Sequence, residues 1–287
     1  MGGWDFTVFW LAGQAILRGE SPYSVPYFYY PLPAAYGFSL LALLPLPVSF
    51  VLWTLFNLGL LIVFFRKKFW HWLFYTPVLH MFSSGQVELL WWSMECYISR
   101  NLLGALLAAI ITLKPQNALI LLPWHLYDWL RNDRRLLIYW FGFTVLIWGS
   151  PLLWYQNWLL DWLQAVPSNG LSSAMNAPGI FSLLSLKKSW WPILAVMALI
   201  IFIWGQMQSK QVARSCALLA SPGGLFYTTL TLLGCAPALL LVPISILAVV
   251  LTLLTRTFIP FLMLPLAVIL WHKFRDTTLL GKVTYEA

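Results

Sequence analysis

Apolar side chains run almost without interruption from residue 34 to residue 271, in stretches parted only by single prolines, glycines or short charged groups. A soluble domain hides such runs beneath polar faces, and this chain has too few polar side chains to do so. Hydrophobic residues make up 61% of it and charged residues 9%, with a mean hydropathy of +0.78. The bilayer is therefore the solvent, and a backbone in lipid must satisfy its own hydrogen bonds, so the runs read as helices. The fold class this predicts is all-α, a polytopic bundle of transmembrane helices.

The 18 Trp and 12 Tyr suit a chain that crosses the headgroup region many times. A net charge of +8 would raise nucleic acid as a partner in a soluble protein, but here the cations sit in short loops beside apolar runs and serve as orientation signals, so no nucleic acid is expected. Cys96, Cys216 and Cys235 lie inside apolar runs without a Cys-x-x-Cys spacing and read as small hydrophobes. His71, His80, His125 and His272 are scattered, so neither a metal nor another cofactor is expected. The first residues carry neither a basic stretch before an apolar core nor the myristoylation pattern.

Residues 5–18 read as a short helix, with Asp5 as a possible N-cap and Gly19 as its stop. Too short to span, it suits a helix lying in the interface. Residues 21–33 hold four prolines and four tyrosines and read as an extended aromatic loop, followed by a second short helix over 34–44. About eleven spans follow, at 48–65, 70–83, 86–99, 102–113, 117–130, 136–153, 190–205, 211–221, 225–241, 243–255 and 257–271. The whole reads as one domain: an outer loop with juxtamembrane helices (5–45), spans (48–153), an outer connection (154–189) and further spans (190–272). If each run crosses once, twelve of the 17 Lys and Arg fall on one side, Arg66, Lys67, Lys68, Arg131, Arg134, Arg135 and Lys282 among them. By the positive-inside rule that side is cytoplasmic, which puts Asp5 outside together with Arg18, Lys114, Lys187, Lys188 and Arg256.

A carboxylate half-shielded at an interface suits a general base that takes a proton from a hydroxyl, so Asp5 reads equally as base or as helix cap. Lys114, before Pro115 at a break between apolar runs, is either a phosphate partner at a cavity mouth or a lysine reaching up to the interface. Gln86 and Glu88 follow Ser83-Ser84-Gly85 and are expected at a water-filled vestibule, with water around Glu88 the simpler reading. Lys187 and Lys188 lie on a short apolar helix expected over 178–189, facing phosphate or plain headgroups. Ser221-Pro222-Gly223-Gly224 reads as a tight turn.

Taken in order, Asp5-Phe6-x-x-Phe9-Trp10-x-Ala12, Gly19-x-x-Pro22-Tyr23, Tyr30-Pro31, Leu44-Pro45, Leu52-Trp53-x-x-x-Asn57, Gly85-Gln86-Val87, Leu113-Lys114-Pro115-Gln116 and Ser221-Pro222 resemble the polyprenyl-phosphate-dependent glycosyltransferases of the GT-C fold, above all glycosyltransferase family 87, of mannosyl or arabinofuranosyl transferase type. The resemblance implies an inverting transferase of a bacterial cytoplasmic membrane. It would move a sugar from a polyprenyl-phosphate donor to a lipid or glycan acceptor on the extracytoplasmic face, with Asp5 as general base. Lys114, Lys187 and Lys188 would then face the donor phosphate, and Tyr23, Tyr30, Gln86, Glu88 and Gln116 would line the sugar and acceptor sites. The family carries a full span before its aspartate whereas four residues precede Asp5, so either a further span is encoded upstream or the protein is truncated. The family's histidine after Ser-Pro and its later Tyr-Asp pair are replaced here by Gly223 and Tyr227-Thr228. The competing readings are a transporter or flippase of lipid-linked sugars, which would show paired helix breaks in two related halves, and a non-catalytic truncated homologue.

Overall fold

The structure, a computed structural model, describes residues 3–166, 175–223 and 226–277, and among these it is helical with no strand. In chain order come α1 (Trp4–Leu17), α2 (Leu32–Ala42), α3 (Leu46–Phe65), α4 (Phe69–Leu73), α5 (Thr76–Ser84), α6 (Glu88–Cys96), α7 (Leu102–Ile111), α8 (Pro115–Leu121), α9 (Pro123–Asn132), α10 (Arg134–Gly149), α11 (Trp158–Ala165), α12 (Trp191–Gln206), α13 (Lys210–Ala220), α14 (Ala238–Thr255) and α15 (Met263–Thr277). Proline opens many of them, because its fixed φ suits the first turn and its missing amide costs nothing there: Pro33 in α2, Pro47 in α3 and Pro192 in α12. Elsewhere a side chain caps the start. Asn101 accepts the Gly104 amide at 2.8 Å to open α7, and Asp133 accepts the Arg135 amide at 3.2 Å to open α10.

Among the described residues four stretches are long and apolar enough to cross a membrane: Leu46–Leu73, Arg134–Leu153, Lys188–Gln206 and Ala238–Thr255. Only 11–22% of each is buried within the protein, so their apolar surface is left to lipid. The count of about eleven expected from the runs is not confirmed by these four. Pro77 divides the run at 70–83 and Pro123 that at 117–130, giving α5 and α9, Pro115 opens α8, and the run at 102–113 becomes the ten residues of α7. Ten helical residues extend about 15 Å, half the hydrocarbon thickness of about 30 Å. The division of the cations between two faces therefore no longer follows from simple alternation, and Lys282 lies outside the described residues.

The chain forms two compact units, Met1–Phe69 with Leu79–Ala118 and His125–Asn169, and Trp70–Val78 with Leu119–Trp124 and Gly170–Ala287. In the second unit Ile180, Phe181, Leu184, Leu194, Ala198 and Leu219 make a core. Tyr75, wholly buried, donates to the Thr229 carbonyl at 2.9 Å, and the Thr76 amide donates to Ser245 Oγ at 3.2 Å, which ties the α4–α5 junction to α14. His272 Nε2 donates to the Cys235 carbonyl at 2.8 Å, and the buried Arg214 donates to that of Thr231 at 3.1 Å.

Candidate active site

In the first unit α1 and α2 form a tight pair. Gly13 lets the backbones close, since a Cβ there would lie 2.7 Å from the Phe38 carbonyl oxygen, and Phe9 stacks on Phe38 at 4.6 Å. The Gln14 amide donates to the Ala42 carbonyl and Trp10 Nε1 to that of Leu44 at 2.9 Å, so polar side chains on α1 finish the C-terminal end of α2. The start of α1 is fixed separately. Gly3 lies flat on Ser84, where a Cβ would overlap that residue's carbonyl, and Gly85, at φ +78, faces the Phe6 Cβ. Trp53 Nε1 holds the Gly85 carbonyl at 3.1 Å, and Phe6 sits between Phe50 and Trp53 with centroids 5.4 and 6.2 Å away.

This places Asp5, half-buried, in the first turn of α1, where the helix dipole favours an anion. It is not the cap that its position in the sequence allowed: Gly3 holds the N-cap position and no side chain caps the first amides of the helix there. Asp5 and Glu88 both act electrostatically on Tyr30 and on His80. The Tyr30 phenol, in the loop before α2, is held neutral well above its ordinary range, first by burial and then by those two negative charges.

Glu88 and Lys114 depart furthest from expectation. Glu88 opens α6 yet is 0% exposed, and Lys114 is 5% exposed rather than reaching for the interface. The reason is mutual: Lys114 Nζ donates directly to Glu88 Oε1 and also lies over the Tyr30 ring, 5.5 Å from its centroid. A partner and an aromatic face make burial of both charges tolerable, where either charge alone would be expelled or neutralised. Glu88 Oε2 is also buried, with no hydrogen-bond partner.

Of the other expected site residues, Gln86 is buried with its Oε1 unpartnered, and Gln116 is exposed. Its neighbour Asn117 is the residue the sequence did not single out: 0% exposed, with both amide atoms unpartnered, one helical turn beyond Lys114. The i, i+3 spacing from Lys114, which puts the two on one side of the turn that opens α8, is the signal in the sequence. Tyr23 joins a different group. Tyr155 donates to Asp161 and lies 3.1 Å from Ser21 Oγ, and Tyr23 is kept protonated by burial, with Tyr155 and Asp161 adding to it. Lys187 and Lys188 belong to the second unit and are exposed. They adjoin the short 3-10 segments Ile180–Ser185 and Lys188–Trp190 rather than riding one helix over 178–189. Ser221 Oγ donates to the Gly223 carbonyl at 2.9 Å, as a turn requires, and Gly224 lies outside the described residues. Among the described residues no three His, Cys, Asp or Glu side chains converge as a metal site would need.

A half-buried carboxylate, a neutral phenol and a buried ammonium–carboxylate pair thus share one unit. The model of glycosyltransferase family 87 matches residues 28–232, more than two thirds of the chain. The chain belongs to this family. It is a membrane glycosyltransferase, and the match takes in Tyr30, Gln86, Glu88, Lys114, Asn117, Lys187 and Lys188, while Asp5 and Tyr23 precede it. No curated protein and no solved structure matches this glycosyltransferase.

Proposed function

We propose that this glycosyltransferase moves a sugar from a polyprenyl-phosphate donor to a lipid or glycan acceptor at the extracytoplasmic face of a bacterial cytoplasmic membrane, with inversion. The observation that carries the reading is the joint setting of Asp5 and Lys114 around Tyr30: the Asp5 charge acts on the phenol, and the Lys114 ammonium lies over its ring. An acceptor hydroxyl would lose its proton to Asp5 as its oxygen attacks the anomeric carbon. The sugar–phosphate bond breaks on the opposite face, which inverts that carbon. Lys114 would sit against the departing phosphate, where a fixed positive charge stabilises the charge that grows as the bond breaks. Gln86 Oε1 and the Asn117 amide, buried and unpartnered, would find partners in sugar hydroxyls, an exchange that offsets their desolvation. Lys187 and Lys188, exposed on the second unit, would serve the surrounding headgroups.

Asp5→Asn tests the base. The amide keeps size and an acceptor oxygen but takes no proton, so turnover should fall about 10²- to 10⁴-fold with donor affinity retained. Radiolabelled sugar transfer in membranes measures the first and donor titration the second. Full turnover in Asp5→Asn would remove Asp5 from the chemistry.

A further inference from the structure

We propose that Glu88 is the resident counter-ion of Lys114, displaced when the donor's phosphate arrives, and that donor binding therefore takes one proton from water onto Glu88. The inference rests on the reading of Lys114 as the phosphate partner. It makes Glu88 a positioning residue, acting through Lys114, in place of the sugar ligand that its position in the sequence suggested.

The balance of charge in a closed space drives the exchange. In the empty enzyme the ammonium and the carboxylate neutralise each other, with Glu88 wholly buried and Lys114 nearly so. A phosphodiester brings one further negative charge and competes for the same three N–H donors of Lys114, one of which Glu88 now holds. The carboxylate left behind has no substitute cation. Tyr30, facing it from the loop before α2, is neutral, and Asp5 on α1 is a further carboxylate. His80 on α5 feels the pull of both Asp5 and Glu88. Of the helices packed on α6, α3 and α7 carry no ionisable side chain, and α9 brings His125, which is engaged with Glu95 two turns further along α6. A buried carboxylate in that position lowers its free energy by taking a proton, R–COO⁻ + H⁺ → R–COOH, which restores the charge balance that held before the donor entered. Its Oε2, buried and without a partner now, is ready to carry the hydrogen.

The probe is farnesyl methyl phosphate, a monoanionic diester that does not itself titrate near neutrality, added to the full protein in nanodiscs. Titration calorimetry in two buffers of different ionisation enthalpy gives the protons taken up per probe bound. The expected value for the unaltered protein approaches one, with affinity weakening as pH rises, because the state that binds more protons is favoured as pH falls. Glu88→Gln should bind at least as tightly, without uptake and with a flat pH profile. Binding without proton uptake by the unaltered protein overturns the exchange, as does uptake that persists in Glu88→Gln, which would assign the proton to His80 or Asp5. The phosphate reading fails on a separate sign: Glu88→Gln with Lys114→Ala, which strands no buried charge, would bind the probe as tightly as Glu88→Gln alone. The profile of the unaltered protein decides the exchange even if a variant does not fold.

Discussion

At the N-terminal end of α6 Glu88 meets Lys114, and seven residues on, at the C-terminal end, Glu95 meets His125 at 2.8 Å. Both carboxylates are 0% exposed, and two helical turns place them on one face about 10 Å apart. The helix dipole favours an anion at the first position and opposes one at the second. The partners differ accordingly. A lysine holds its charge through the physiological range, whereas the imidazole carries charge only when protonated. Beside Glu95 the Arg100–Asp128 pair, at 2.7 Å, ties the segment after α6 to α9 a second time. One end is a doubled tie between α6 and α9; the other leaves a carboxylate oxygen unbonded beside an aromatic ring and a second acid. Equal burial of equal residues thus serves cohesion at one end and, in our reading, chemistry at the other.

The strongest way to break this contrast is Glu88→Ala. Removing the carboxylate that Lys114 bonds should cost about 3–5 kcal/mol of stability, and the double change to Glu88→Gln with Lys114→Gln should recover much of it. Thermal unfolding in nanodiscs measures both, and equal loss in the single and double variants would show that the pair is not coupled. At the other end, His125→Ala removes the partner of Glu95 and should cost about 1–3 kcal/mol while sugar transfer per folded molecule stays unchanged. A fall in transfer comparable to that of Asp5→Asn would erase the distinction between the two ends.

Asp128→Asn should have the smallest effect, at most about 1 kcal/mol, because Arg100 is 56% exposed and water screens the pair. The sign with pH sharpens it. The Arg100 hydrogen bond holds the Asp128 carboxyl below its ordinary range, so its contribution is complete above that range, about pH 4, and is lost as pH falls through the depressed value. Melting curves of the two proteins should converge under acid and separate toward neutrality.

Much of the first unit was legible because punctuation is local. Gly19, Pro31-Leu32-Pro33 and Pro45-Leu46-Pro47 mark the ends of α1, α2 and α3, and the observed boundaries lie within two residues of those expected. The span count is less legible for a physical reason: the apolar runs continue across Pro77 and Pro123, although each proline stands in the first turn of a new helix. Glu88 was misjudged because its environment is set by a lysine 26 residues away, and no periodicity in one sequence carries that pairing. Asn117 was legible in principle, one turn from Lys114, but Gln116 beside it drew the attention that burial would have redirected.

Gly3 and Gly85 have a consequence beyond packing. Two backbones touch with nothing interposed, so the distance from the Ser84 turn to Asp5 is set by atoms that no substitution can make smaller, and any side chain makes it larger. A joint of this kind has no adjustment: the acid on α1 and the turn that leads into α6 are registered by the thickness of the main chain itself. Errors elsewhere in the membrane-facing helices can be absorbed by lipid, but an error here is transmitted undiminished to the carboxylate.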